Sequence, residues 1–136
     1  MAEFNQDARA TGPVITGFTA TGFRLDGDGL GLRRVEGALI LTPLSAMPWD
    51  APPVGALDAA GLTAVLALCP APEFLLLGTG RGLVHPPRRF VATLEGHGIG
   101  VEVMDSKAAA RAWGILRSED RWIVAAIMGL GQGREA

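Results

Sequence analysis

The second half of the chain carries three short apolar runs, "EFLLLGTG", "IGVEVM" and "RWIVAAIM", and no other feature restricts the fold as strongly. The first is continuously apolar and bounded by turn residues, the pattern of a strand buried on both faces. The other two read as further strands. Leu75, Leu76, Leu77, Val101 and Val103 are therefore expected to lie in adjacent central strands and to be buried. The segments between the runs have helical spacing. One helix is predicted from Pro87, with Phe90, Val91 and Leu94 turned inward and Gly96 as its stop. Another is predicted over "DSKAAARAWGILR", capped by Asp105 or Ser106, with Ala109, Ala112, Trp113 and Leu116 as its apolar stripe. Gly114 weakens that helix by about 1 kcal/mol relative to alanine. Trp113 is expected in the core beneath it. Strands alternating with helices argue for an α/β layer with the strands between helices.

The first half is divided by glycines. In "VITGFTATGFRLDGDGLGLRRVEGALILTP", short apolar or alternating pieces separated by Gly17, Gly22, Gly27, Gly29 and Gly37 predict successive antiparallel strands. Val35–Leu41 is the clearest of them, with Pro43 ending it. "DGDG" has the residues of a tight turn and lacks the alternating acidic ligands and distant Glu of a calcium loop. "MPWDAPPVGALD" reads as a proline-rich connection. It leads to a helix capped by Asp58, stapled by Leu57 onto Leu62, and carrying Leu62, Val65, Leu66 and Cys69 on one face. Pro70 and Pro72 close it, and Cys69 is expected to be a small core residue at its end.

With 136 residues the chain fits one domain, large enough to remove about two thirds of its unfolded surface from water. The domain is expected over 13–130, with flexible tails at 1–12 and 131–136. Charged residues make up 19% and the net charge is −2, so the doublets Arg33-Arg34 and Arg88-Arg89 form no extended basic stripe and nucleic acid is not an expected partner. Cys69 is the single cysteine, which excludes an internal disulfide, a CxxC pair and a cysteine zinc site. "MAEFNQDARATG" lacks the apolar run of a secretory signal, and no apolar stretch approaches the ~20 residues that span a bilayer. A cytoplasmic protein without membrane insertion is expected.

No residue pattern declares a reaction. Ser45, Ser106 and Ser118 lie in no GxSxG elbow. His85 precedes two prolines, His97 lies between glycines, and neither has a ligand partner at helical spacing, so no catalytic residue, metal or cofactor is expected. The glycine-rich "GTGRG" is not a phosphate-binding fingerprint, because "LVHPP" separates it from the following helix. Two readings of it remain open. It is a strand-ending turn, or Gly78, Thr79, Gly80 and Arg81 hold an anion or a partner's carboxylate in a concavity shared with Trp49.

The order and spacing of "LLLGTGR", "PP", "GIGVEVMDSKAAAR" and "LRSEDRWIVAAIM" resembles the small domain family of mitochondrial complex I assembly factor 3 and its uncharacterised bacterial and archaeal relatives. "PLSAMPW", ending in Trp49, sits where that family places a proline–tryptophan pair, and the resemblance runs from Val14 to Leu130. It implies a three-layer α/β fold: a central mixed sheet flanked by helices, with a small antiparallel β portion from the N-terminal half. It also implies a non-catalytic interaction module with protein partners, among them subunits of a membrane-associated complex. The family tends to carry Thr after the Asp of the third helix, then Cys before the Arg and Thr-Tyr-Asn after it. This chain has Ser106, Ala110, Ala112, Trp113 and Gly114 instead, so Ala110 supplies no thiol chemistry, while Asp105 and Arg111 read as a cap and a surface residue. The alternative is a small anion-binding domain or enzyme using the Gly78–Gly82 loop.

Overall fold

Gly37, with φ +79°, breaks the segment Val35–Leu41 and distributes it between two sheets. A left-handed residue turns the chain where a side chain would be strained, so the run expected as one strand is two. The computed structural model describes residues 12–131. The segments expected as tails lie outside them, apart from Gly12 and Gly131.

Upstream of the break, β1 (Val14–Phe18), β2 (Gly22–Asp26) and β3 (Arg33–Glu36) form an antiparallel sheet in that order. Both aspartates of "DGDG" serve the turn. Asp26 accepts from the Gly27 N–H at 2.7 Å, and Asp28 accepts from the Leu30 N–H at 3.2 Å and pairs with the Arg33 guanidinium. The hydrogen bond from Arg33 holds the Asp28 carboxyl below its ordinary pKa. A carboxylate with a lowered pKa contributes stability above its unfolded pKa and loses it as pH falls through the folded one. Thermal melts on acidification are therefore expected to show a loss at the acid end of the carboxylate range that is smaller in Asp28→Asn. Equal acid sensitivity in the two proteins would refute the assignment.

Downstream of Gly37 lie β4 (Ala38–Leu41), β5 (Ala46–Trp49), β6 (Phe74–Gly78), β7 (Gly100–Met104) and β8 (Val124–Ile127), ordered β5-β4-β8-β6-β7. β6 runs parallel to β7 and β8, while β4 is antiparallel to β5 and β8, so the sheet is mixed. β5 lies in the segment expected as a proline-rich connection. Pro48 is tolerated there because β5 is an edge strand and needs no ladder donor on its outer side.

Among the described residues three helices accompany the sheet: α1 (Thr63–Leu66), α2 (Arg88–Gly96) and α3 (Ser106–Ser118). α1 is shorter than its spacing predicts. Asp58 caps a 3-10 turn over Ala59–Leu62, accepting from the Ala60 N–H at 2.9 Å, and only one α turn follows. Pro70 disfavours helical geometry at Cys69, and the helix ends three residues earlier. Cys69 is consequently exposed rather than a core residue.

Alternation along the strands divides the core. Leu75, Leu77, Ala38 and Ile40 face one side, with Leu57, Leu62, Val65, Phe90 and Leu94 of the α1 and α2 layer. Leu76, Leu39 and Leu41 face the other, with Trp113 of α3 and with Phe23, Leu25 and Val35 of the small sheet. The result is the three-layer α/β architecture. Val101 and Val103 are half-buried rather than buried, because β7 is the other edge of the sheet. No helix among the described residues is long and apolar enough to cross a membrane.

Candidate functional site

β6 delivers the chain to the C-terminal end of its parallel strands, where Gly78 lies level with Met104 of β7 and Ile127 of β8. Crevices outside such strand ends are where open α/β sheets collect ligands. The loop that follows is tied down residue by residue. The Gly78 carbonyl accepts from the Met128 N–H at 2.9 Å, and the Thr79 N–H donates to the Met104 carbonyl at 3.0 Å. The Thr79 hydroxyl is fully buried; it donates to the Gly82 carbonyl at 2.6 Å and accepts from the Val84 N–H at 3.1 Å.

Gly80 takes φ +95°, which aims its N–H at the Ser106 hydroxyl, 2.8 Å away. Ser106 in turn donates to the Met128 carbonyl at 2.6 Å, and its own N–H donates to the Gly80 carbonyl at 2.8 Å. One buried hydroxyl thus joins the β6 loop, the first turn of α3 and the end of β8. Asp105, next to it, is the α3 cap, accepting from the Ala108 N–H at 2.9 Å.

This network decides what the loop can present. The N–H groups of Thr79 and Gly80 and the Thr79 hydroxyl are spent internally, leaving the exposed Arg81 guanidinium as the outward polar group of the motif. A guanidinium donates to carboxylates and oxyanions and stays protonated at neutral pH, so it recognises charge without transferring a proton. Trp49 is at the same end of the sheet, but two strands, β4 and β8, separate β5 from β6. The tryptophan packs into the core at 7% exposure. Gly78, Thr79, Gly80 and Arg81 are brought together, and Trp49 stands apart from them.

Other residues weighed from sequence have local duties. Ser45 Oγ lies 3.1 Å from Thr42 Oγ1, Ser118 donates to the Ile115 carbonyl at 2.6 Å, and His97 Nδ1 lies 3.0 Å from the Thr93 carbonyl. His85 is placed differently. With Pro86, Arg88, Val91, Ala92, Glu95 and Val103 it lines a groove of about 660 Å³ between α2 and β7. Sequence reasoning passed over this groove. Its signal is a stretch, residues 74–94, that contains Arg81, His85, Arg88 and Arg89 and no acidic residue.

Residues 15–128 match the family described as a protein of unknown function (DUF498/DUF598). An uncharacterised protein of Rhodobacter capsulatus is 35% identical over 109 residues, covering 76% of this chain and 82% of that protein. NADH dehydrogenase (ubiquinone) 1 alpha subcomplex assembly factor 3 of Danio rerio is 28% identical over 123 residues, covering 90% of this chain and 68% of that one. The crystal structure of a Bordetella parapertussis protein superposes with a TM-score of 0.75 at 29% identity, over 88% of this chain and 97% of the other. By sequence match along nearly its whole described length, and with a fold shared by solved relatives, the chain belongs to the DUF498/DUF598 family.

Proposed function

We propose that this chain is a non-catalytic interaction protein that aids assembly of a membrane-associated NADH dehydrogenase complex, acting from the cytoplasm and contacting a protein partner through the Gly78–Arg81 loop. The observation that carries the reading is the 28% identity, across 90% of the chain, to a protein named as an assembly factor for that complex. The chemistry of the loop supports it. Arg81 projects from a mount whose other donors are already bonded, which suits recognition of a partner's carboxylate and offers no acid, base or nucleophile for turnover. Trp49 serves as a packed support at the same sheet end.

Affinity isolation from native extract is the test. Subunits of the NADH dehydrogenase complex are expected in stoichiometric amount. Arg81→Ala is expected to weaken their capture while shifting stability by no more than about 0.5 kcal/mol, because the side chain is exposed. If only a small anionic metabolite raises the melting temperature and no subunit is captured, the chain is an anion-binding domain instead. If the variant unfolds easily and keeps its partner, Arg81 is structural.

A further inference from the structure

The two edges of the central sheet are not equivalent. β5 carries Pro48 at one edge, and proline lacks the N–H with which a sixth strand would pair. β7, at the other edge, has five residues and no proline, and its outer side has no neighbouring strand among the described residues. Unpaired N–H and C=O groups along such an edge are a template for an added strand. Beside that edge lies the groove between α2 and β7, with Val91, Ala92 and Val103 as its apolar lining.

Basic side chains gather at one end of the groove, where His85 and Arg88 line it. Arg81, His85, Arg88 and Arg89 all issue from the connection between β6 and α2 or from the first residues of α2, at the sheet end where β7 finishes. Among the described residues no hydrogen bond or ion pair occupies any of the four side chains. Of the carboxylates nearby, Glu95 lines the other end of the groove, two turns along α2 from Arg88, Glu102 alternates with Val101 and Val103 onto the opposite face of β7, and Asp105 caps α3.

We propose that β7 accepts an extended acidic segment of a partner protein as a sixth strand, with an apolar side chain in the groove and carboxylates against Arg81, His85 and Arg88. The proposal rests on the interaction reading above and specifies its surface and the chemistry of its partner. Main-chain pairing along Gly100–Met104 supplies affinity, the groove selects an apolar residue, and the basic end fixes direction by drawing the acidic end of the segment toward Met104.

The full-length protein carrying a photoreactive diazirine side chain in place of Ala92 tests this, with the same group in place of Ile115 on α3 as a remote control. After isolation from native extract and irradiation, adducts are mapped by mass spectrometry. The expected adduct is from position 92 to an acidic segment of the captured partner, and its yield is expected to fall about tenfold or more in Arg88→Glu, since reversing one charge of a close pair turns attraction into repulsion. Arg88 is exposed, so an unchanged melting temperature shows that the variant is folded. Captured partner without an adduct at position 92, equal adducts from both positions, a yield indifferent to Arg88→Glu, or an adduct to a second copy of this chain overturns the proposal and leaves the assembly reading standing. Failure to capture any partner overturns both.

Discussion

Trp113→Ala is expected to lower the unfolding free energy by about 3–5 kcal/mol, the cost of removing a large enclosed aromatic side chain. Trp113 has no solvent exposure, and its ring lies in the layer shared by Leu39, Leu41, Leu76 and Ile127 of the central sheet and Phe23 and Leu25 of the small one. The indole also donates from Nε1 to the Pro13 carbonyl at 2.8 Å, so one side chain joins α3 to the entry of β1. Trp113→Phe separates the two contributions. It keeps most of the apolar volume and leaves a buried carbonyl unpaired, for which a smaller loss of about 1–3 kcal/mol is expected. Urea unfolding of the three proteins reads both effects; a loss below about 1 kcal/mol in the alanine variant would mean that α3 repacks over the gap. A chain losing 3–5 kcal/mol is left with little of the ordinary stability of a domain this size, which is about 5–15 kcal/mol.

Trp113 could be placed from sequence because helical spacing with Ala109 and Leu116 puts all three on one face. The same kind of evidence located β6, β7 and β8: each is an apolar run of strand length that follows a helical segment, and local pattern and tertiary role agree. Agreement failed where two tertiary environments share one local pattern. Val35–Leu41 carries inward apolar residues on both sides of Gly37, and nothing in its period says that Val35 serves the small sheet and Leu39 the central one. β5 was hidden by Pro48, which argues against a strand unless the strand is known to be an edge. Cys69 fits the helical period of α1, yet Pro70 prevents the turn that would have buried it.

The candidate site divides along the same line. That a loop follows β6 is legible, since glycines succeed an apolar run. Which of its donors are spent is not, because Thr79 and Gly80 find their partners at Gly82, Val84, Met104 and Ser106, and the last of these is 26 positions away from Gly80. The groove beside β7 depends on one residue in a strand and several in a helix, and on the absence of a sixth strand. Only the one-sided charge of residues 74–94 announces it in the sequence.

Ser106→Ala is expected to act on stability and on the site together. The substitution removes no volume beyond one oxygen, but it strands two buried groups: the Gly80 N–H loses its acceptor and the Met128 carbonyl loses a donor. Each unsatisfied buried group costs about 1–3 kcal/mol, so the unfolding free energy is expected to fall by about 2–4 kcal/mol, more than the size of the change implies. Ser106→Thr retains the hydroxyl and discriminates chemistry from packing. The Gly78 backbone leaves little room for the extra methyl, since a Cβ there would lie 3.0 Å from Ser106 Oγ, but the two hydrogen bonds survive if the threonine rotamer is accommodated. The decisive measurement is amide hydrogen exchange at Thr79 and Gly80. In Ser106→Ala the Gly80 amide is expected to exchange faster relative to the β6 interior, while Thr79, still bonded to the Met104 carbonyl, is expected to change less. If both amides stay as protected as Leu76, another group holds the loop and Ser106 is not its fastener. If the loop loosens as expected, Arg81 loses its fixed mount, and partner capture should weaken in Ser106→Ala although the guanidinium itself is untouched.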